Sequence, residues 1–160
     1  MNTRSVALAI TGASGAAYGL RLLEVLLAKQ IQVHLVISAP GRIVIAEETD
    51  LRLPSKANEI CTIFNSRFDA QPGDLQVYGR EDWFAPIASG SNPPDAMVIC
   101  PCTTGTLAEV AAGTSRSLIE RAADVALPPN TVDRIGRAEE ILRIRKPALP
   151  RIFAVPCFEG

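Results

Sequence analysis

The stretch Thr11-Gly12-Ala13-Ser14-Gly15-Ala16-Ala17-Tyr18-Gly19 constrains this chain most. An apolar run, Val6 to Ile10, leads into it, and a helical run, Arg21 to Lys29, leads out. Strand, glycine-rich turn and helix N-terminus in this order open a βαβ unit. Such a turn aims free backbone N–H groups and the positive end of a helix dipole at one spot, which suits a phosphate. Its small residues let a ligand come close to the backbone. Leu20, Leu23, Leu26 and Leu27 give the helix an apolar stripe. Ile31–Ile37 reads as the second strand, reached by a right-handed crossover. Short all-apolar strands of this kind are buried on both faces of a parallel sheet.

Further along, Gly41 to Asp50 reads as a short helix leading to a polar loop. A helix starting at Pro54 runs through Ile60 and Ile63, Phe64–Gly73 is loop-like, and Leu75–Tyr78 is a short edge strand. His34, the only histidine, falls inside the second strand and reads as a packed or solvent-facing residue rather than a catalytic base. The loop from Trp83 to Pro94 carries the only tryptophan, as a binding wall or as a core anchor. Ala96–Cys100 is the clearest later strand; Pro101–Thr106 makes a second small polar turn, followed by a helix over Leu107–Ala112. Ligands of open α/β sheets bind at the carboxyl ends of strands, so the two turns reinforce each other. Ser117 caps a helix from Leu118 to Leu127, with Arg121 and Asp124 three apart. Pro128-Pro129 then breaks the chain. Asn130 starts a helix bearing Ile135, Ala138 and Leu142, and Ile152–Val155 reads as a last strand.

Composition removes several function classes. The chain of 160 residues, 48% hydrophobic and 21% charged, can bury one core. A net charge of −1 implies no nucleic acid and no membrane surface as partner. No apolar run approaches the roughly 20 residues that span a bilayer. The first apolar segment is too short for a signal peptide, so the expected location is cytoplasmic. Cys61, Cys100, Cys102 and Cys157 then read as free thiols. No ligand spacing suggests a metal. The glycines Gly12, Gly15 and Gly19 do not follow the dinucleotide pattern, and no acid follows Ile37-Ser38 to hold a ribose. The lysine-bearing phosphate loop of nucleotide hydrolases is absent as well. A neutral Ser38 fits a mononucleotide better. From the residues alone, Ser14 is a helix cap, Glu48 an exposed helix-end carboxylate and Arg121 one half of a pair with Asp124. Ser14 and Cys102 stay open as nucleophiles, with ligand contact the simpler reading.

The stretch Thr11 to Leu23 resembles the opening of the UbiX-type flavin prenyltransferases. Four further blocks agree, in the family's order: Glu48-Thr49-Asp50; Asp82-Trp83 through Ala88-Ser89-Gly90-Ser91; Met97 through Leu107; and Leu118 through Leu127. The resemblance covers residues 4–127. It implies a flavodoxin-like or Rossmann-like three-layer α/β fold with a central parallel sheet. It also implies a homo-oligomer, trimer-based and up to a dodecamer, with FMN at subunit interfaces. The implied reaction joins a dimethylallyl group from dimethylallyl phosphate to reduced FMN without a metal, and the prenylated FMN serves a UbiD-type decarboxylase. Carried over by position, Gly12, Ala13 and Ser14 match the first FMN turn, Ser38 the contact after the second strand, and Cys102, Thr103, Thr104 and Gly105 the second FMN turn. Ser14, Glu48 and Arg121 match catalytic positions, while Trp83, Ser89 and Arg121 fall at the substrate. Prenyl transfer needs the allylic carbon held against the flavin with water excluded, and cationic or hydrogen-bonding partners for the departing phosphate.

The likeness ends at Leu127. Where the family has a phosphate-binding lysine this chain has Pro128, its only tyrosines are Tyr18 and Tyr78, and its only lysine beyond Lys56 is Lys146. The expected organisation is therefore a flavin-binding α/β domain over 1–127 and a divergent tail over 128–160, holding a helix and a short strand. A frameshift, a truncation or a divergent replacement would give such a tail. Two alternatives accompany the prenyltransferase reading. One is a non-catalytic FMN-binding or assembly subunit; the other is a relative of the flavin-dependent cysteine decarboxylases, disfavoured because its histidine would have to be His34.

Overall fold

A computed structural model of the chain describes residues 4–91, 93–127 and 152–156. The described residues form ten strands and helices, mixed along the chain as the apolar patterning predicts. Strand β1 is Ser5–Ile10, helix α1 Ala16–Ala28, β2 Gln32–Ile37, α2 Ala39–Glu48, α3 Ala57–Phe68 and β3 Leu75–Tyr78. After a short 3-10 turn at Pro86–Ala88 come β4 Ala96–Cys102, α4 Thr104–Ala112, α5 Leu118–Ala126 and β5 Ile152–Pro156. The five strands form one sheet in the order β3-β2-β1-β4-β5, with every pairing parallel. The order turns back between β2 and β4, on either side of β1, and this switch point leaves a crevice at the strand ends. The expected α/β fold with a central parallel sheet is the one observed.

Alternation along β1 divides the core. Leu8 and Ile10 face one side with Val33, Leu35 and Ile37 of β2. There they meet Leu20, Leu23 and Leu27 of α1, Ile45 of α2, and Ile60 and Phe64 of α3. Ala7 and Ala9 face the other side, with Met97 and Ile99 of β4. Their partners are Ala122, Ala123 and Ala126 of α5, all fully buried. Alanine against alanine lets α5 lie close on the sheet. Three layers result, each helix burying the stripe its sequence period lays down.

The predicted edge strand Leu75–Tyr78 and the last strand near Ile152 are both present. Elsewhere local expectations are corrected. Phe64 is no loop residue: α3 continues to Phe68, because Ile60 and Phe64 repeat every four residues toward the core and Phe64 is fully buried. That helix starts at Ala57, not Pro54. Strand β4 runs two residues beyond Cys100, with a register shift between Ile99 and Cys102, where Pro101 has no N–H to give. Helix α4 consequently begins at Thr104 rather than Leu107. The expected helix after Asn130 lies outside the described residues.

His34 is a buried strand residue. Its Nδ1 lies 3.0 Å from the Tyr78 hydroxyl, which in turn bonds Gln76 on the edge strand. Burial lowers the imidazole's pKa below its ordinary value. Burial, with the nearby Asp82 carboxylate adding to it, pushes the Tyr78 phenol up to about 12. Gly19 faces the end of β4: a Cβ there would stand 2.2 Å from the Cys100 carbonyl oxygen.

Two outcomes are expected. Gly19→Ala forces α1 off the sheet and lowers stability by about 1–3 kcal/mol, read as a fall in the urea midpoint. For His34 the folded pKa is depressed, so the unfolded chain binds more protons. Stability is then intact above about pH 6.5 and declines as pH falls below it. In His34→Gln, compared by melting curves from pH 7.5 to 5, that part of the decline is missing.

Candidate functional site

Thr11 joins the two turns. It follows β1 directly and is 2% exposed. Its backbone N–H and its hydroxyl both donate to the Pro101 carbonyl, at 3.1 and 2.8 Å, and the hydroxyl oxygen accepts the Thr103 N–H at 2.8 Å. The glycine-rich turn and the Pro101–Thr106 turn are thus one unit across neighbouring strands.

Helix starts converge on this unit. Ser38 caps α2, its Oγ accepting the Gly41 N–H at 3.0 Å. Thr103 caps α4, accepting the Thr106 N–H at 3.2 Å, and its hydroxyl bonds that of Thr106 at 2.9 Å. Gly12 and Gly41 are small for the protein's own sake. A Cβ on Gly12 would lie 2.4 Å from the Pro40 Cβ, and one on Gly41 would lie 2.6 Å from the Ile10 carbonyl oxygen. At Gly105, by contrast, a Cβ would meet nothing within 4 Å, so the protein's own packing does not require glycine there.

A cleft of about 220 Å³ opens at the strand ends. The turns contribute Thr11, Gly12, Ser38, Pro40, Thr103 and Thr106. The far wall comes from Arg80 after β3, Glu109 of α4, and Ser117, Ile119 and Glu120 at the start of α5. Of the residues expected at a cofactor, the structure brings Gly12, Ser38 and Thr103 together here. Thr104 and Gly105 are exposed in the first turn of α4, where their N–H groups have no intrahelical acceptor. Cys102 is buried, and burial first, then the neighbouring Cys100, push its thiol up to about 11 against a backbone hydrogen bond at Leu107 that lowers it. Burial of this kind suits a packing thiol.

The remaining candidates form two other groups. Glu48 ends α2 and reaches back to the start of α1. Its carboxylate accepts the N–H of Gly15 at 3.0 and 3.2 Å and that of Ala16 at 2.9 Å. Gly15 is the residue before α1, at φ 95°, a left-handed conformation that suits glycine. Glu48 therefore caps α1, and Ser14 does not: Ser14 is exposed and makes no cap hydrogen bond. Arg121 is no partner of Asp124. Its Nε donates to the Ala88 carbonyl at 3.0 Å, while Asp124 accepts from the Ser115 hydroxyl. This ties α5 to the loop where the Ser89 and Ser91 hydroxyls bond each other at 2.7 Å. Trp83 is neither core nor enclosed; it is 44% exposed beside a fully exposed Phe84.

Known proteins are similar to this chain in sequence and in fold. The Flavoprotein family matches residues 1–132. A flavin prenyltransferase UbiX of Pseudomonas aeruginosa is 52% identical over 122 residues, 76% of this chain and 58% of the relative. One of Halalkalibacterium halodurans is 36% identical over 162 residues, covering 92% of this chain and 77% of the relative. The chain belongs to the UbiX flavin prenyltransferase family. It spans less than two thirds of the Pseudomonas aeruginosa relative's length. A crystal structure of AnUbiX in complex with FMN and dimethylallyl pyrophosphate superposes with TM-score 0.64 at 32% identity, over 78% of this chain and 58% of that one. A dodecameric FMN-dependent UbiX-like decarboxylase from Escherichia coli O157:H7 gives TM-score 0.65 at 28% identity, over 96% and 67%.

In this UbiX-family chain, Thr11, Arg80, Ser117 and Glu120 are the site residues that sequence reading passes over. Ser117 and Glu120 carry the S-x-x-E signal of a capping box, which points to a helix start and not to a cleft. Thr11 carries no signal of its own, since its partners are 90 residues away. The clasp it forms yields the next expected outcome. Thr11→Val keeps the shape, strands the Thr103 N–H without an acceptor, and costs about 1–3 kcal/mol in a denaturant titration.

Proposed function

We propose that this chain binds FMN and joins a dimethylallyl group from dimethylallyl phosphate to its reduced form, supplying prenylated FMN to a UbiD-type decarboxylase. The observation that carries the reading is the cleft at the sheet's switch point, where Ser38 and Thr103 cap two helix starts beside Gly12. Open N–H groups and helix dipoles there suit a phosphate monoester. The pairing of FMN with dimethylallyl pyrophosphate in the AnUbiX structure supports the substrate class.

The donor set fits FMN. Gly12, Ala13, Ser14 and Ser38 would hold it on one side, and Cys102, Thr103, Thr104 and Gly105 on the other, Cys102 through its backbone. Bound there in its reduced form, FMN would supply an electron-rich ring for the dimethylallyl group. The chain's own groups do the rest. Glu48 stands on the amides beside Ser14, which places an acceptor oxygen and a hydroxyl at one turn. Arg121, held through Nε, keeps its terminal N–H groups for the departing phosphate, with the Ser89 hydroxyl on the adjoining loop. Trp83 would wall the prenyl group only when covered, and a second copy of the chain is the natural cover. Exposed Tyr18, Ile43 and Phe84 support a homo-oligomer, as does the dodecameric neighbour. A cytoplasmic location and the division of the chain at Leu127 belong to the same proposal. No described helix is long and apolar enough to cross a membrane.

Incubation with reduced FMN and dimethylallyl phosphate, followed by mass spectrometry, tests the reading: the prenylated flavin is expected. Flavin bound without product would favour the binding subunit. On this reading Arg121→Ala lowers turnover by about 10²-fold or more, as expected for loss of one group that stabilises developing charge.

A further inference from the structure

Glu120 sits in the first turn of α5 and lines the cleft, yet it is only 5% exposed. One carboxylate oxygen accepts the Ser117 hydroxyl. Among the described residues no other hydrogen bond and no ion pair reaches the group, and Arg80 in the same cleft does not pair with it. A carboxylate this far out of water normally has a cation or several donors. The remaining donors come from water in the cleft or from a ligand that displaces it.

The chemistry of those donors is narrow. A phosphate offers only acceptors and negative charge, so it belongs at the helix starts, not against Glu120. A carboxylate's natural partner on a phosphorylated small molecule is a hydroxyl, as an acid holds the ribose in dinucleotide folds. About 220 Å³ is below the usual size for a whole cofactor and fits a phosphate with a short chain. We infer that Glu120 accepts hydrogen bonds from the hydroxyls of the ligand's sugar-alcohol chain, while Ser38 and Thr103 hold its phosphate. The inference rests on the FMN reading above, in which the ribityl chain supplies the hydroxyls.

The sign of one substitution tests it. Glu120→Gln keeps the shape and an oxygen for Ser117 but removes the charge. A carboxylate that merely faced water beside a dianionic phosphate would repel it, so its removal would tighten FMN. A carboxylate bonded to hydroxyls makes charge-assisted hydrogen bonds, and its removal weakens FMN. By flavin fluorescence on the full chain, the Kd for FMN is expected to rise about tenfold, the loss of one such bond. A flavin carrying its phosphate on an alkyl chain without hydroxyls is expected to bind wild type about tenfold more weakly than FMN and to be no worse bound by the variant. An unchanged or lower Kd for FMN in Glu120→Gln, or equal binding of both flavins by wild type, overturns the inference alone. Wild type that binds no FMN overturns the functional reading with it.

Discussion

Three hydrogen bonds at Thr11 hold the working end of this molecule together. Donation to Pro101 from both its N–H and its hydroxyl, and acceptance from Thr103, lock the turn after β1 to the turn after β4. Both strands end in polar turns that, left alone, would each need water. Clasped, they form one rigid floor from which α1 and α4 depart. Buried and fully partnered, the threonine gains from the low dielectric around it. The close approach of α1 to β4, which only glycine permits at Gly19, depends on the same alignment.

The division of β1 between small and large side chains has a functional consequence. Ala7 and Ala9 let α5 settle against the sheet, and α5 then delivers Ser117, Ile119 and Glu120 to the cleft and Arg121 to the loop at Ala88. Successive residues of one helical turn serve two neighbouring surfaces. Core packing and the site are therefore linked by one choice of residue size on β1, the strand that itself runs into Thr11 and Gly12.

The elements legible in the sequence were those with a strong period. The strands before Ile10 and Ile37, the Leu20–Leu27 stripe and the cap at Ser117 stood out because local pattern and burial agree there. Phe64 was misplaced because Asn65, Ser66 and Arg67 carry a loop-like composition, while the four-residue spacing to Ile60 decides burial. The residues Gly12, Ser38 and Thr103 could be placed at one site from two turns and a family likeness. The cleft's far wall could not, because Arg80 and Glu120 reach it by the packing of α5 on the sheet, which no local pattern encodes. Ser14 and Glu48 were paired by family position alone; why they belong together became visible only when the carboxylate was found on the amide of Gly15.

That carboxylate sharpens the question of where a phosphate can go. Of the helix starts around the floor, those of α1 and α4 follow the two turns that the sequence offers as anion sites. At α1 the amides of Gly15 and Ala16 are already taken by Glu48, a negative charge supplied from within the fold. A phosphate brought to the same amides would stand against it, at a cost of about 1–4 kcal/mol for each pair of unit charges 4 Å apart at effective dielectric constants between those of water and a protein surface. At α4 the cap is a neutral threonine, the first-turn amides have no intrahelical acceptor, and Gly105 leaves the approach open. On the proposed FMN reading the phosphate therefore sits with Ser38 and Thr103, and α1 keeps its own anion. The consequence is chemical as well as steric: an acceptor oxygen is held beside Ser14 without consuming the ligand's charge. On the same reading the first turn, which by its sequence looks like the phosphate cradle, is the place where a proton would be handled.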